Sequence, residues 1–420
     1  MSGKNGDGQL QKDGLSGVPE EKLTAGWGLY GRRSGRKEER MVSREMLFSA
    51  MPKAPMYRYD WETVENLPEM QVWIRCMRDV PQDTLRQKDG SVWTHTRRAC
   101  DALAHSSAFQ SLSDAMQVAV ALGALFQHIG KVSRGRDLAV ASEAADSGDV
   151  GGRLTRMILW RDYDLCGTPS HQQLREAVCA YVKWHAVPLF PLLSERKIRR
   201  IAAIGQAAPL FSLRGLCALA QADIQGNITD DQKERQSAAE RFHETARDAG
   251  CIDFPYPFPS AHTAKVYLQE ENGWQDEEAY IPEWGSVILL CALPGTGKDM
   301  WIQDHCHGMP AVSPDAWPWR RDTENAGALQ SETALGYLRA HRSFVWKTHS
   351  LPKYRSAQVS LISSYGAGVR IVFLETSYSE NLRRNREKVD GVPESVMDRM
   401  LMRMEPPMPW EAERVDWVCV

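Results

Sequence analysis

The chain has 420 residues, too many for one ordinary hydrophobic core, so two or three domains are expected. Lys and Arg total 51 against 54 Asp and Glu, a net charge of −3, with 43% hydrophobic and 25% charged residues. That usage excludes a collagen, a wholly disordered chain and a strongly basic nucleic-acid coat, but not a local basic groove, because a field depends on where charges sit.

Residues 1–50 are rich in Gly, Ser, Lys, Arg and Glu and read as a flexible tail, with order expected to begin near Tyr57–Trp61. From residue 51 to about Gly250 the pattern is helical. Ala99, Leu103 and Ala104 recur at helical spacing, and Met116–Leu125 is an almost wholly apolar stretch suited to a buried helix capped by Ser113 or Asp114. Phe254-Pro-Tyr-Pro-Phe-Pro259 cannot continue a helix, so residues 251–285 are expected to be an inter-domain linker that packs its aromatics. Residues 286–420 then alternate strand and helix. Ser286–Cys291, Ala311–Ser313, Ser343–Thr348 and Gly368–Glu375 read as strands, and short apolar strands between helices argue a parallel sheet covered on both faces. The longest apolar run, Val287–Leu293, is far short of the roughly 20 residues that span a bilayer. With no hydrophobic stretch at the N-terminus and nine cysteines lacking a CxxC pair, the expectation is a cytoplasmic protein with reduced, mostly buried thiols.

The strongest chemical signal is the strand Val287–Cys291 running through Ala292-Leu-Pro-Gly295-Thr296-Gly297-Lys298-Asp299 into a helix. Glycines let backbone N–H groups turn inward, the helix N-terminus supplies partial positive charge, and Lys298 reaches terminal phosphates. Gly295, Thr296, Gly297, Lys298 and Asp299 are therefore the expected nucleotide-binding residues, with ATP or another NTP and Mg²⁺ as cofactors. The pattern departs from a standard phosphate loop at two places. Ala292 stands at the first glycine, and Asp299 stands where a Ser or Thr hydroxyl normally meets Mg²⁺; its carboxylate is an acceptable hard ligand. Val312-Ser-Pro-Asp315 at a strand's end offers a carboxylate that could accept a proton from an attacking hydroxyl, and equally a helix start. Arg383-Arg384-Asn-Arg386-Glu-Lys388 suits a lid over triphosphate, or a solvated helix face. Trp317 and Trp319 beside Arg320 and Arg321 could stack bases. His305-Cys306-His307 lacks the second pair that a zinc site needs.

Taken together, LCALPGTGKDMW, VSPD, FVWKTHSL, GVRIVFLE, RRNREK and VPESVMDRM resemble the polynucleotide 5′-hydroxyl kinase family of P-loop phosphotransferases. The similarity is closest to the bacterial branch in which the kinase follows an HD phosphohydrolase domain. It implies transfer of the γ-phosphate of an NTP to the 5′-OH of RNA or DNA, as in nucleic-acid end repair. Asp315 would be the general base, Lys298 and Arg384 would act on the phosphates, and a nucleic-acid 5′-OH end would be the partner; a second copy of the chain is left open as another. Met300 replaces the family's usual Thr. Pro318 stands where an arginine is usual, with Arg320 or Arg321 displaced from it, and Lys347 and His349 stand in a segment that is usually Asn-rich. These departures imply weakened or retargeted kinase activity, with an NTP- or end-binding pseudoenzyme as the alternative.

Residues 57–270 resemble the HD domain of the same fusions in Val92-Trp-Thr-His95-Thr, Leu125-Phe-Gln-His128-Ile-Gly-Lys131, Trp184-His185 and Gln221-Ala-Asp223. An active HD site gathers His and Asp ligands around one or two metal ions that activate water. Where the family has His-Asp this chain has Gln127-His128, and a further family histidine falls at Ser147. The resemblance thus implies a degenerate site of His95, His128, His185 and Asp223, able to hold one divalent transition metal, and either structural or a residual phosphohydrolase. The expected fold is multidomain, with an all-α HD-like domain followed by an α/β P-loop kinase domain built on a parallel sheet.

Overall fold

The computed structural model describes residues 37–81, 90–135, 147–190, 193–227, 229–269, 282–313, 323–348, 350–388 and 391–420. Asp315 lies outside the described residues, as do Trp317, Pro318, Trp319, Arg320, Arg321 and His349. The N-terminal region is helical, and the C-terminal region carries a five-stranded sheet.

The helical region is organised around Asp114–Phe126, whose residues from Ala119 onward are all buried. Ser113 stands at its cap position without a side-chain cap bond. Three neighbouring helices start on side-chain caps: Ser91 before Val92–His105, Thr168 before Pro169–Trp184 and Ser212 before Leu213–Gln225 each accept an N–H from the first turn. Tyr181 holds these helices together. Its hydroxyl donates to Leu210 O at 3.0 Å and accepts from Ser212 N at 3.1 Å. Gly123 and Gly215 allow that approach, since a Cβ on either would lie 2.7 Å from Tyr181 Cβ or 2.3 Å from its oxygen. The one helix among the described residues long and apolar enough to cross a membrane, Asp114–Val132, has 78% of its most apolar window buried within the protein.

Two sequence expectations need correcting. The segment expected to be a tail contains the helix Lys37–Ser49, whose Leu47 packs into the core, so the helical region includes residues well ahead of Tyr57. The expected linker contains the helix Ala261–Gln269 with Ala264, Tyr267 and Leu268 buried. Ahead of it Tyr256 and Phe258 pack on the core, while Phe254 is exposed.

The sheet consists of β1 (Trp284–Cys291), β2 (Ala311–Val312), β3 (Val345–Thr348), β4 (Ala367–Glu375) and β5 (Arg414–Cys419). All are parallel, in the order β2-β3-β1-β4-β5. Strand periodicity sends Val287, Leu289 and Cys291 to one face and Ile288 and Leu290 to the other. The first set joins the core of the helical region, with Phe373 meeting Trp160 edge-on at 6.5 Å, and the second packs under Trp301 and Cys306. The two regions therefore share one continuous core. Eight of the nine cysteines are buried and all are free thiols; burial pushes the Cys291 thiol up to about 12.

A buried ion pair ties the regions together. Arg175, on Pro169–Trp184, donates to both carboxylate oxygens of Glu375 at 2.8 and 2.7 Å, and neither side chain is exposed. Gly167 N and Gln172 Nε2 also donate to Glu375, and the guanidinium lies 4.0 Å from the Trp160 ring centre. Glu375 is the last residue of β4, so this clamp grips the sheet at the end where its loops converge.

Candidate functional site

β1 is central, with β3 on one side and β4 on the other, so the loop leaving its carboxyl end sits at the topological switch point of the sheet. That loop is Ala292–Gly297, and the helix Lys298–His305 follows it directly. Gly295 and Gly297 take φ of +77° and +103°, a left-handed conformation that only glycine adopts without strain. A Cβ on Gly295 would also lie 2.4 Å from Asn381 O.

The helix Tyr378–Arg386 covers the loop. Asn381 Nδ2 donates to Pro294 O at 3.1 Å and to Thr296 Oγ1 at 2.8 Å, while the Thr296 hydroxyl donates to Leu293 O at 2.8 Å. Arg384 Nη1 donates to Thr296 O at 3.0 Å, and its Nε donates to Glu380 at 2.6 Å. Of the arginine cluster, Arg384 is the one held on the loop. Arg383 is engaged with Glu380 and Glu387, and Arg386 with Glu394, on exposed surface. Hydrogen bonds from Arg383, then Arg384, hold the Glu380 carboxyl down at about 2, so it stays an anionic brace for both. Lys298 Nζ folds over the loop entrance, donating to Ala292 O at 3.3 Å and Leu293 O at 3.1 Å. The structure thus brings Gly295, Thr296, Gly297, Lys298 and Arg384 together. A loop of this kind implies a nucleotide, whose phosphates would meet first-turn N–H groups and the Lys298 ammonium.

Such a loop also implies Mg²⁺, and Asp299 was its expected ligand. Asp299 instead forms an ion pair with Lys347, from the end of β3. A magnesium ion seated on Asp299 would therefore meet that ammonium and have to displace it. Met300 is exposed, and His305 stacks on Trp301 with ring centres 4.8 Å apart, a packing role.

In the helical region, donor atoms of His95, His128 and Asp223 lie within 4.8 Å of one another, the one such His/Cys/Asp/Glu group among the described residues. His185 stands beside them. Its ring meets that of His128 edge-on at 5.2 Å, and its Nδ1 is 2.8 Å from Val182 O. His95 Nε2 and His128 Nε2 lie 2.9 and 3.1 Å from the same Asp223 oxygen, and Arg235 donates to the other at 2.7 Å. Burial would raise the Asp223 carboxyl, but the hydrogen bonds from His128 and His95 hold it well below its ordinary value. Burial, then the charge of Lys131, pushes His128 well down, so it is neutral. Two imidazoles and one guanidinium thus contact both oxygens of the carboxylate. A metal would have to displace those bonds and share the carboxylate with Arg235. The cluster fits a structural network better than a metal centre. Prolonged dialysis against EDTA is accordingly expected to leave the melting temperature unchanged; a fall reversed by Zn²⁺ would show a structural metal.

Sequence reasoning missed Asn381, Arg235 and Glu375. Asn381 had a signal, since it precedes Arg384 by three residues and so shares its helix face. Arg235 and Glu375 had none, because their partners come from other elements.

No curated protein matches the chain. Residues 287–407 match the family model of the AAA domain, a stretch that runs from β1 through the loop and the Arg384 helix. The C-terminal region is accordingly a P-loop NTPase-like domain of the kinase type, built for nucleotide-phosphate chemistry.

Proposed function

We propose that the protein phosphorylates polynucleotide 5′-hydroxyl ends with ATP or another NTP, in nucleic-acid end repair. The observation that carries this reading is Arg384 donating to Thr296 O, because it brings a lid guanidinium onto the loop whose lysine meets the same phosphates. In the reaction the 5′-oxygen attacks the γ-phosphorus, the bond to the β,γ-bridging oxygen breaks, and the nucleoside diphosphate leaves. Lys298 and Arg384 balance the charge that develops on the transferring group. Asp315 takes the hydroxyl proton; this role rests on the sequence resemblance. The HD-like helical region serves as a scaffold, anchored at Glu375 two residues before the Ser377 cap of the Arg384 helix. The setting is cytoplasmic.

The test is label transfer from γ-labelled ATP to 5′-OH RNA and DNA oligonucleotides. Labelled 5′ ends are expected. ATP binding without transfer to either acceptor would replace the kinase with a nucleotide-binding pseudoenzyme.

A further inference from the structure

Lys347 is the last residue but one of β3, the strand beside β1, and lies opposite Leu290, with Thr348 opposite Cys291. The end of β3 therefore abuts the start of the phosphate loop. In P-loop NTPases the magnesium ion is held by a hydroxyl directly after the loop lysine and by a carboxylate from the Walker B strand. Here the first position is Asp299, and β3 ends in Lys347 and Thr348 with no carboxylate. The Thr348 hydroxyl donates to Gln358. Lys347 and Asp299 form an ion pair in which the lysine side chain is 9% exposed and the aspartate 71% exposed. The ammonium is thus held by the packed stem of its own side chain, while the carboxylate reaches out from the first helical turn to meet it. Surface ion pairs are weak when both partners are mobile, but here one partner is fixed by the sheet.

We propose that Lys347 supplies, as a fixed protein cation, the positive charge that Mg²⁺ supplies beside other phosphate loops, so that nucleotide binding here depends little on magnesium. The inference rests on the nucleotide reading of the loop and deepens it. Asp299 is one residue from Lys298, so the Lys347 ammonium stands at the first turn of the helix whose N–H groups receive the phosphates. A divalent ion seated on Asp299 would face that ammonium and have to expel it. A triphosphate faces no such conflict, since its oxygens accept from an ammonium as readily as the carboxylate does.

The test is calorimetric titration of ATP into the full chain, in excess EDTA and in millimolar Mg²⁺. The wild type is expected to bind in both, with affinities within about threefold. Lys347→Met keeps the stem and removes the charge; it is expected to lose about tenfold or more in EDTA and to regain much of that in Mg²⁺. Wild-type binding that falls tenfold or more in EDTA overturns the inference and leaves the nucleotide reading standing, as does a Lys347→Met variant that binds in EDTA as well as the wild type. No binding under either condition overturns both.

Discussion

Lys298→Ala is expected to lower phosphoryl transfer by about 10²–10³-fold or more, with the melting temperature nearly unchanged. The ammonium is half-buried and bonded to two loop carbonyls, bonds that are modest in worth when the protein alone is considered. In the reaction it faces a group that gains negative charge, so its removal falls on the transition state and not on the fold. Gly295→Ala should abolish transfer by another route. It places a Cβ 2.4 Å from Asn381 O at a residue with φ of +77°, so the loop and the Arg384 helix must separate. The two variants differ in one readout: the alanine at 295 also lowers stability, by about 1–3 kcal/mol from backbone strain. A Lys298→Ala protein that retains full transfer would exclude the loop as the catalytic site.

Glu375→Ala is expected to be the most destabilising single change, costing about 3–5 kcal/mol in denaturant unfolding. It takes the bidentate partner from the Arg175 guanidinium at a site with no exposure, leaving it Glu176 and Leu165 O, and removes the acceptor for Gly167 N and Gln172. The cost lies mainly in an excess of buried positive charge, because Glu176 is left to face both Arg175 and Arg156, so pairing Glu375→Met with Arg175→Met should recover much of the loss. Because Glu375 leads into the helix that carries Asn381 and Arg384, the single variant should also weaken nucleotide binding. A Glu375→Ala change of under about 1 kcal/mol would mean the clamp does not join the two regions.

The sheet was legible where strands are buried on both faces. Val287–Cys291 is an unbroken apolar run and Gly368–Leu374 is apolar apart from Arg370, and the structure extends the two expected strands only to Trp284 and Ala367. β5 was missed because Arg414 and Asp416 alternate with Val415 and Trp417, which reads as a polar tail until Asp416 is seen paired to Arg370 and Arg414. The helix Lys37–Ser49 was missed for a similar reason. Its Met41, Val42 and Met46 are exposed, and it docks mainly through Leu47.

At the candidate site, glycine spacing and a lysine at the helix start were readable because their chemistry is local. The pairings that decide how the site works are not local. Asn381 to Thr296 spans 85 residues and Lys347 to Asp299 spans 48, so they exist only once β1, β3 and β4 lie side by side. The histidine set shows the same limit. His95, His128 and Asp223 could be nominated from the chain, but Arg235, which completes the carboxylate's bonding, enters only through the fold.

The central claim is that the turn Gly295–Gly297 and the Lys298 ammonium together receive nucleotide phosphate. Titrating ATP into the intact protein by calorimetry, with Lys298→Ala in parallel, tests it most directly. The account predicts one saturable site per chain in the wild type and binding weakened at least tenfold in the variant. Absence of heat in the wild type, or equal affinity in both proteins, would contradict it.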